Sequence, residues 1–174
     1  MNKIKRIAYK SFLRVLYRFS SERYKIMYPN YLRKIGINIP LDYFEGGHGF
    51  IHPSVVFDGN DFSLISIGKN TTISADVVFL THDYSISKGL KMIGAPESGR
   101  FLKPIRVGSN CFIGMRSMLL PGTSIGDNVI VGAGAIVKGK IPDGVVVAGN
   151  PAKVVCTTQE WAEKHYLAKD YEIV

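Results

Sequence analysis

At 174 residues the chain is long enough to bury one core without disulfides, and its two cysteines, Cys111 and Cys156, are too few for a secreted disulfide framework. No apolar run approaches the ~20 residues of a membrane span, and Lys and Arg interrupt the N-terminus too often for a signal peptide, so a reducing, cytoplasmic setting is expected. The net charge of +8 is uneven: residues 1–34 carry ten Lys or Arg against Glu22 alone, which makes that segment +9 and the remainder −1.

The first predicted element, Met1 to Phe19, is an amphipathic helix. Ile4, Ile7, Ala8, Phe12, Val15, Leu16 and Phe19 lie along one broad face, with Lys3, Lys10, Arg14 and Arg18 interleaved. A basic helix of this kind suits an anionic membrane surface or a lipid-linked substrate. It equally suits packing on the body of the protein, or on a neighbouring subunit, with its charges in water. No nucleic-acid-binding motif accompanies the charge, so nucleic acid is not an expected partner. Pro29 is expected to stop the next segment. Tyr31 to Ile35 then reads as a short helical piece closed by Gly36.

From Ile51 the apolar pattern advances in sixes: Ile51 and Phe57, then Ile67, Ile73 and Phe79. The ten-residue gap between Phe57 and Ile67 predicts a bulged corner over Asp58 to Phe62, with Gly59 and Asn60 as turn formers. From Tyr84 to Lys103 no period is readable. Gly89, Gly94, Pro96 and Gly99 lie in this stretch and Pro104 follows it, so residues 84–104 are read as an external loop. Lys88, Lys91, Arg100 and Lys103 make it basic enough to cover an anionic ligand.

The period returns over Val107 to Pro142, which divides into VGSNCF, IGMRSM, LLPGTS, IGDNVI, VGAGAI and VKGKIP. The first position is always aliphatic: Val107, Ile113, Leu119, Ile125, Val131 and Val137. Gly108, Gly114, Gly126 and Gly132 fill the second position, and the fifth (Cys111, Ser117, Thr123, Val129, Ala135, Ile141) is mostly small. A step of six fits neither the 3.6-residue turn of a helix nor the alternation of a strand. It fits a parallel β-helix, in which each six makes a short strand and a turn, and three sixes close a triangular coil. The first position then points inward and stacks on the coils about 4.8 Å above and below. The fifth faces the same cramped interior, so Cys111 is expected to be a buried free thiol. Glycine at the second position is expected to meet the corner's backbone angles and to avoid a side-chain clash.

After Pro142, DGVVVAGNPAKVV is expected to finish the last coil with a turn at Gly149-Asn150-Pro151. Thr157 with Glu160 forms a capping-box pattern that opens a short terminal helix, with Trp161 and Leu167 available for packing. The chain thus divides into a basic helical lead-in (1–50), a β-helix (51–156) and a terminal helix (157–174).

This spacing resembles that of the hexapeptide-repeat acetyltransferases. The resemblance implies a mainly β fold whose parallel β-helix is left-handed, against the usual crossover preference. LRKIGI resembles the lead-in of many sugar acetyltransferases, and AGNPAKVV the family's final-coil signature. Among four histidines, His82 in FLTHDYS stands out because it sits at the last ordered corner before the loop, on the outer surface beneath a lid. Imidazole is also the side chain best suited to take a proton from a hydroxyl at neutral pH. In the family a histidine in this place is the general base of direct transfer from acetyl-CoA. That role is carried to His82, with Gly114 as the most plausible backbone donor to the oxyanion.

The resemblance further implies that Gly114, Met115, Ala133 and Gly134 line the CoA groove, Met115 being bulkier than the family's usual small residue. Lys138 and Lys153 would meet the CoA phosphates. Asp58 and Asn60 are acceptor-binding candidates, with Asp83 a weaker one and a weak candidate for orienting the imidazole. The family's sites lie between subunits of a threefold trimer, so a homotrimer is implied, with no metal. The short basic lead-in and the THDYS corner look most like sugar or polysaccharide O-acetyltransferases, with N-acetylation of an amino sugar as the runner-up. A γ-class carbonic anhydrase on the same repeat would need three histidines on zinc. His48 and His52 are close in sequence but precede the repeats, and His82 has no histidine partner a few residues away. A non-enzymatic β-helix gives no reason for His82, the loop and the GNPAK turn to occur together.

Overall fold

The computed structural model describes residues 3–44, 47 and 49–173, so His48 and the first two residues of the expected N-terminal helix lie outside the described residues. Four helices, α1 (Lys3–Phe19), α2 (Ser21–Ile35), α3 (Ser85–Met92) and α4 (Thr158–Ala168), surround a left-handed parallel β-helix with three faces. The first face stacks Phe50–Ile51, Thr72–Ile73, Phe112–Ile113, Ile130–Val131 and Val145–Ala148. The second stacks Val56–Phe57, Val78–Phe79, Met118–Leu119 and Ile136–Val137, and the third Ile65–Ile67, Ile105–Val107, Ser124–Ile125 and Lys140–Ile141.

Register keeps the aliphatic first positions in columns. Ile51 pairs with Ile73, Ile73 with Ile113, Ile113 with Val131 and Val131 with Val147. Val107, Ile113, Leu119, Ile125, Val131 and Val137 are all at most 4% exposed, and Cys111, Ser117, Thr123, Val129 and Ala135 are buried beside them. Burial pushes the Cys111 thiol up to about 11. One step departs from six. Ile141 pairs with Ile125 only four residues after Val137, so it occupies the stacking position and not the fifth. Gly139, at φ 80°, turns that corner in two fewer residues.

The lead-in adds to the coil before Ile51. Asn38 bridges Ser66 in parallel, and Ile37 and Ile39 are buried. Pro29 does not stop α2; it lies inside a helix that runs on to Gly36, whose φ of 110° closes it. An interior proline costs about 3 kcal/mol. Tyr24, Tyr28, Tyr31 and Leu32 are buried on the same helix, Tyr24 stacks on Tyr28 at 4.9 Å, and the Tyr24 hydroxyl donates to Ile51 O at 2.8 Å. At about 1.5–3 kcal/mol per buried large side chain, that packing outweighs the proline.

α1 packs through Leu13, Leu16 and Tyr17, so Leu16 alone of the apolar stripe joins the core. Ile4, Ile7, Phe12, Val15 and Phe19 of the apolar stripe are 49–84% exposed. Two basic side chains reach back to the first coil: Lys10 Nζ donates to Val55 O at 3.2 Å and Arg14 Nε to Pro53 O at 3.4 Å.

The period-free stretch is not a structureless loop. His82–Asp83 and Phe101–Leu102 form an antiparallel ribbon carrying α3, and Lys103 N closes onto Thr81 O at 3.0 Å. α3 escapes a sequence reading because it is eight residues long, contains Gly89 and has no side-chain cap. At the far end Val145–Ala148 turns through residues 149–152 and pairs antiparallel with Lys153–Thr157, so the coil ends in a hairpin. The Thr157–Glu160 capping box then starts α4.

Candidate active site

The corner between the second and third faces builds the site. In the first coil this corner is long: Asp58 N bonds Phe79 O at 3.0 Å, Gly59 turns at φ 88°, and Asp61 caps a short 3₁₀ turn over Phe62–Leu64. In the second coil the chain leaves the body at the same corner. The buried Thr81 hydroxyl donates to Asp58 O at 3.1 Å and clamps the two coils together. His82 Nδ1 then lies 2.6 Å from Asp58 Oδ2, with both side chains about a quarter exposed. A Cβ at Gly59 would stand 2.9 Å from Thr81 Oγ1 and 3.7 Å from His82 Nδ1, so glycine leaves room for this contact.

A carboxylate offers only acceptors, so in a neutral imidazole bonded to Asp58 the facing nitrogen would carry the proton. Nε2 is left with its lone pair. The arrangement can hold a base in one tautomer and stabilise the imidazolium formed when that base takes a proton. Asp58, expected as an acceptor contact, is instead placed against the imidazole, where a carboxylate can orient it. Asn60 stands exposed on the same corner. Asp83 does not join them. Neighbours on a strand point to opposite sides, and its carboxylate accepts from Ser85 N at 2.7 Å, where it supports the start of α3.

Two residues extend the site: Tyr84, not singled out from the sequence, and Arg100, read there only as one of the loop's basic residues. Tyr84, on the His82 side of the ribbon, stands edge-on to the imidazole at 5.6 Å. Arg100 lies over the Tyr84 ring at 5.8 Å and donates to its hydroxyl at 3.2 Å. The period-two alternation in His82-Asp83-Tyr84 is the signal that could have found Tyr84. Arg100 needed the ribbon's register, which pairs Asp83 with Phe101.

The predicted cofactor residues divide between two edges. Lys138 is exposed on the His82 edge two coils further on, roughly 10 Å along the axis. Gly114, Met115, Ala133 and Gly134 lie on the edge between the first and second faces, on the far side of the second face. There Met115 is 48% exposed and its carbonyl accepts from Gly134 N at 2.8 Å. Gly114 is not a free oxyanion donor, because its N–H already bonds Val131 O at 2.8 Å in the coil ladder. Lys153 is exposed on the terminal hairpin. Of the other described histidines, His52 shares Nδ1 with Ser54 Oγ at 2.8 Å, and burial lowers its pKa. His165 pairs with Asp170 at 2.9 Å on the terminal segment.

Residues 104–138 match the family described as the hexapeptide repeat of succinyl-transferase. Protein CapG of Staphylococcus aureus is 35% identical over 162 residues, which is 93% of this chain and 86% of CapG. Galactoside O-acetyltransferase of Escherichia coli K12 is 36% identical over 109 residues, 63% of this chain; the match spans 51% of that relative, about half its length. A solved galactoside acetyltransferase in complex with coenzyme A shares the fold, with a TM-score of 0.60 at 23% identity over 100% of this chain and 92% of that one. On its repeat, its coil and its near full-length similarity to CapG, the chain belongs to the hexapeptide-repeat acetyltransferases.

Proposed function

We propose that the protein is an acetyl-CoA-dependent O-acetyltransferase acting on a hydroxyl of a sugar or cell-surface glycan precursor. The observation that carries this reading is the His82–Asp58 contact at a coil edge beneath the helical arm. His82 Nε2 removes the hydroxyl proton as the acceptor oxygen attacks the acetyl carbonyl. Collapse of the tetrahedral intermediate breaks the C–S bond, and the imidazolium returns its proton to the CoA thiolate. The similarity to galactoside O-acetyltransferase supports a sugar hydroxyl as the acceptor. Release of free thiol from acetyl-CoA, read against sugars, amino sugars and sugar nucleotides, tests the reading. Transfer to hydroxyl acceptors is expected, transfer only to amines would replace it by N-acetylation, and no release with any acceptor would end it.

The split of the candidate residues between two edges supports a cyclic homotrimer. One protomer would supply His82 and Asp58, and its neighbour the Met115–Ala133–Gly134 wall along which the pantetheine arm runs. Lys138 and Lys153 would meet the CoA phosphates. Asp58 acts through the imidazole and is a positioning residue. Asp58→Asn is expected to lower kcat by about 10²-fold, at the low end of what acid–base catalysis contributes, with KM for acetyl-CoA unchanged. A rise in the KM for the acceptor with kcat preserved would make it an acceptor contact after all.

The outward stripe of α1 supports peripheral attachment to a membrane. Among the described residues no helix is long and apolar enough to cross one. Exposed Ile4, Phe12, Val15 and Phe19 on a helix with no acidic residue fit an interfacial helix on anionic lipid, at the inner face of the cytoplasmic membrane. Vesicles containing phosphatidylglycerol are expected to retain the protein in flotation, and Phe12→Asp with Phe19→Asp to release it. Equal flotation of the two proteins would remove the membrane from this account.

A further inference from the structure

The inward face of α1 is the unusual feature of the molecule. Arg6, Lys10 and Arg14 follow one another at single-turn intervals, and all three face the first coil or the corner beside it. The Arg6 guanidinium lies over the Phe62 ring at 4.8 Å, and Lys10 and Arg14 hold the Val55 and Pro53 carbonyls. Among the described residues none of the three has a carboxylate within 4.0 Å. Basic residues on an amphipathic helix ordinarily sit in water. Here Arg6 and Lys10 are half-buried against the protein while Ile4, Ile7, Phe12, Val15 and Phe19 face solvent, and desolvation, with Arg14 and Arg6 pressing on it, lowers the pKa of Lys10.

Between α1, α2 and the first coil lies a cleft of about 210 Å³ whose lining includes Arg6, Lys10, Tyr28, Tyr31, Phe57 and Gly59. Two observations connect it to a ligand. Tyr28 is 1% exposed, and its buried hydroxyl meets no hydrogen-bond partner among the described residues; buried hydroxyls are ordinarily paired. Gly59 is the neighbour of Asp58 and lies against the imidazole, so the cleft opens one residue from the His82–Asp58 pair.

We propose that this cleft binds the phosphate ester of a phosphorylated acceptor, with Arg6 and Lys10 as its cationic contacts. The inference rests on the O-acetyltransferase reading and names its acceptor class: a sugar carrying a phosphate mono- or diester, whose attacked hydroxyl faces His82 while its phosphate is held by the lead-in. An oxyanion between Arg6 and Lys10 compensates two cations that no carboxylate among the described residues approaches within 4.0 Å, and it makes charge-assisted bonds.

Calorimetric titration of the full chain with N-acetylglucosamine, N-acetylglucosamine 1-phosphate and UDP-N-acetylglucosamine tests this directly. At least one phosphorylated form is expected to bind about tenfold or more tightly than the free sugar, and the tighter of the two identifies the carrier. Arg6→Gln with Lys10→Gln should remove that preference while leaving free-sugar and acetyl-CoA binding unchanged, and Arg6→Lys with native Lys10 should retain most of it. Equal binding of free and phosphorylated sugars by the native protein would overturn the proposal. So would a double variant that loses affinity for acetyl-CoA in place of the phosphorylated sugar. These titrations need no turnover, so an absence of acetyl transfer to every acceptor would end the catalytic reading and leave the cleft to be judged on binding alone.

Discussion

Replacing His82 by alanine is expected to lower kcat for acetyl transfer by about 10²–10⁴-fold, the usual contribution of a positioned acid–base group, with the KM for acetyl-CoA near its native value. The imidazole packs against little that the fold needs. It meets Asp58 on one side and the edge of Tyr84 on the other, at an edge of the coil and outside the stacked core. The clamp between the two coils belongs to Thr81 and stays intact in the variant. Thermal unfolding should therefore be nearly unchanged while turnover collapses. A single-turnover measurement with saturating acetyl-CoA separates the two effects. Near-native transfer by the variant would show that His82 is not the base, and would leave the Asp58 contact as a feature of the corner alone. His82→Gln keeps a hydrogen-bonding side chain of similar reach but cannot take up the proton, so it should be as inactive as the alanine variant.

The coil was legible because its rule is local: each aliphatic first position from Val107 to Val137 obeys the same spacing, and every one is buried. His82 was legible because it stands where that spacing fails. Its partner was not. Asp58 is reached only by stacking the first coil on the second, and the irregular corner from Asp58 to Leu64 hides the register that does so. The place of Arg100, read only as one of the loop's basic residues, was hidden in the same way, because a ribbon's pairing cannot be counted across a segment without a period. The orientation of α1 stayed open for a different reason. A helical wheel divides apolar from basic residues but does not say which side faces inward. Leu13 and Tyr17, outside the apolar stripe read from the sequence, decided it by packing on α2 and the coil. Pro29 was read by its local rule, and the tyrosine stack of α2 overrode that rule.

Gly108→Ala is expected to destabilise the fold by about 3 kcal/mol, the upper end of ordinary overpacking costs, and this follows from why glycine occupies the second place of each six. The backbone-angle reason falls away: Gly108, Gly114, Gly126 and Gly132 are not among the glycines with positive φ. What remains is space. A Cβ at Gly68 would meet the Gly108 carbonyl carbon at 2.5 Å, and one at Gly108 would meet Gly126 O and Asp127 Oδ1 at 2.4 Å. These obstacles are not flexible ends of side chains. One is backbone within the stack, and the other is a carboxylate that already accepts from Ser109 N at 2.6 Å. Ordinary contact at about 3.5 Å needs roughly 1 Å more separation, in a stack where Gly108 N also bonds Ile125 O at 2.9 Å. Opening the stack there loosens the ladder on both sides, because Gly68 N bonds Val107 O at 2.9 Å in the coil below. For a chain of this length the cost corresponds to a fall in Tm of about 6–12 °C. Gly134→Ala is the informative control. Nothing lies within 4 Å of its added Cβ, and only the φ of 69° opposes it, so its cost should stay near 1 kcal/mol. If the two variants melt together, crowding between coils is not what selects glycine, and the repeat's second position must be explained by the backbone after all.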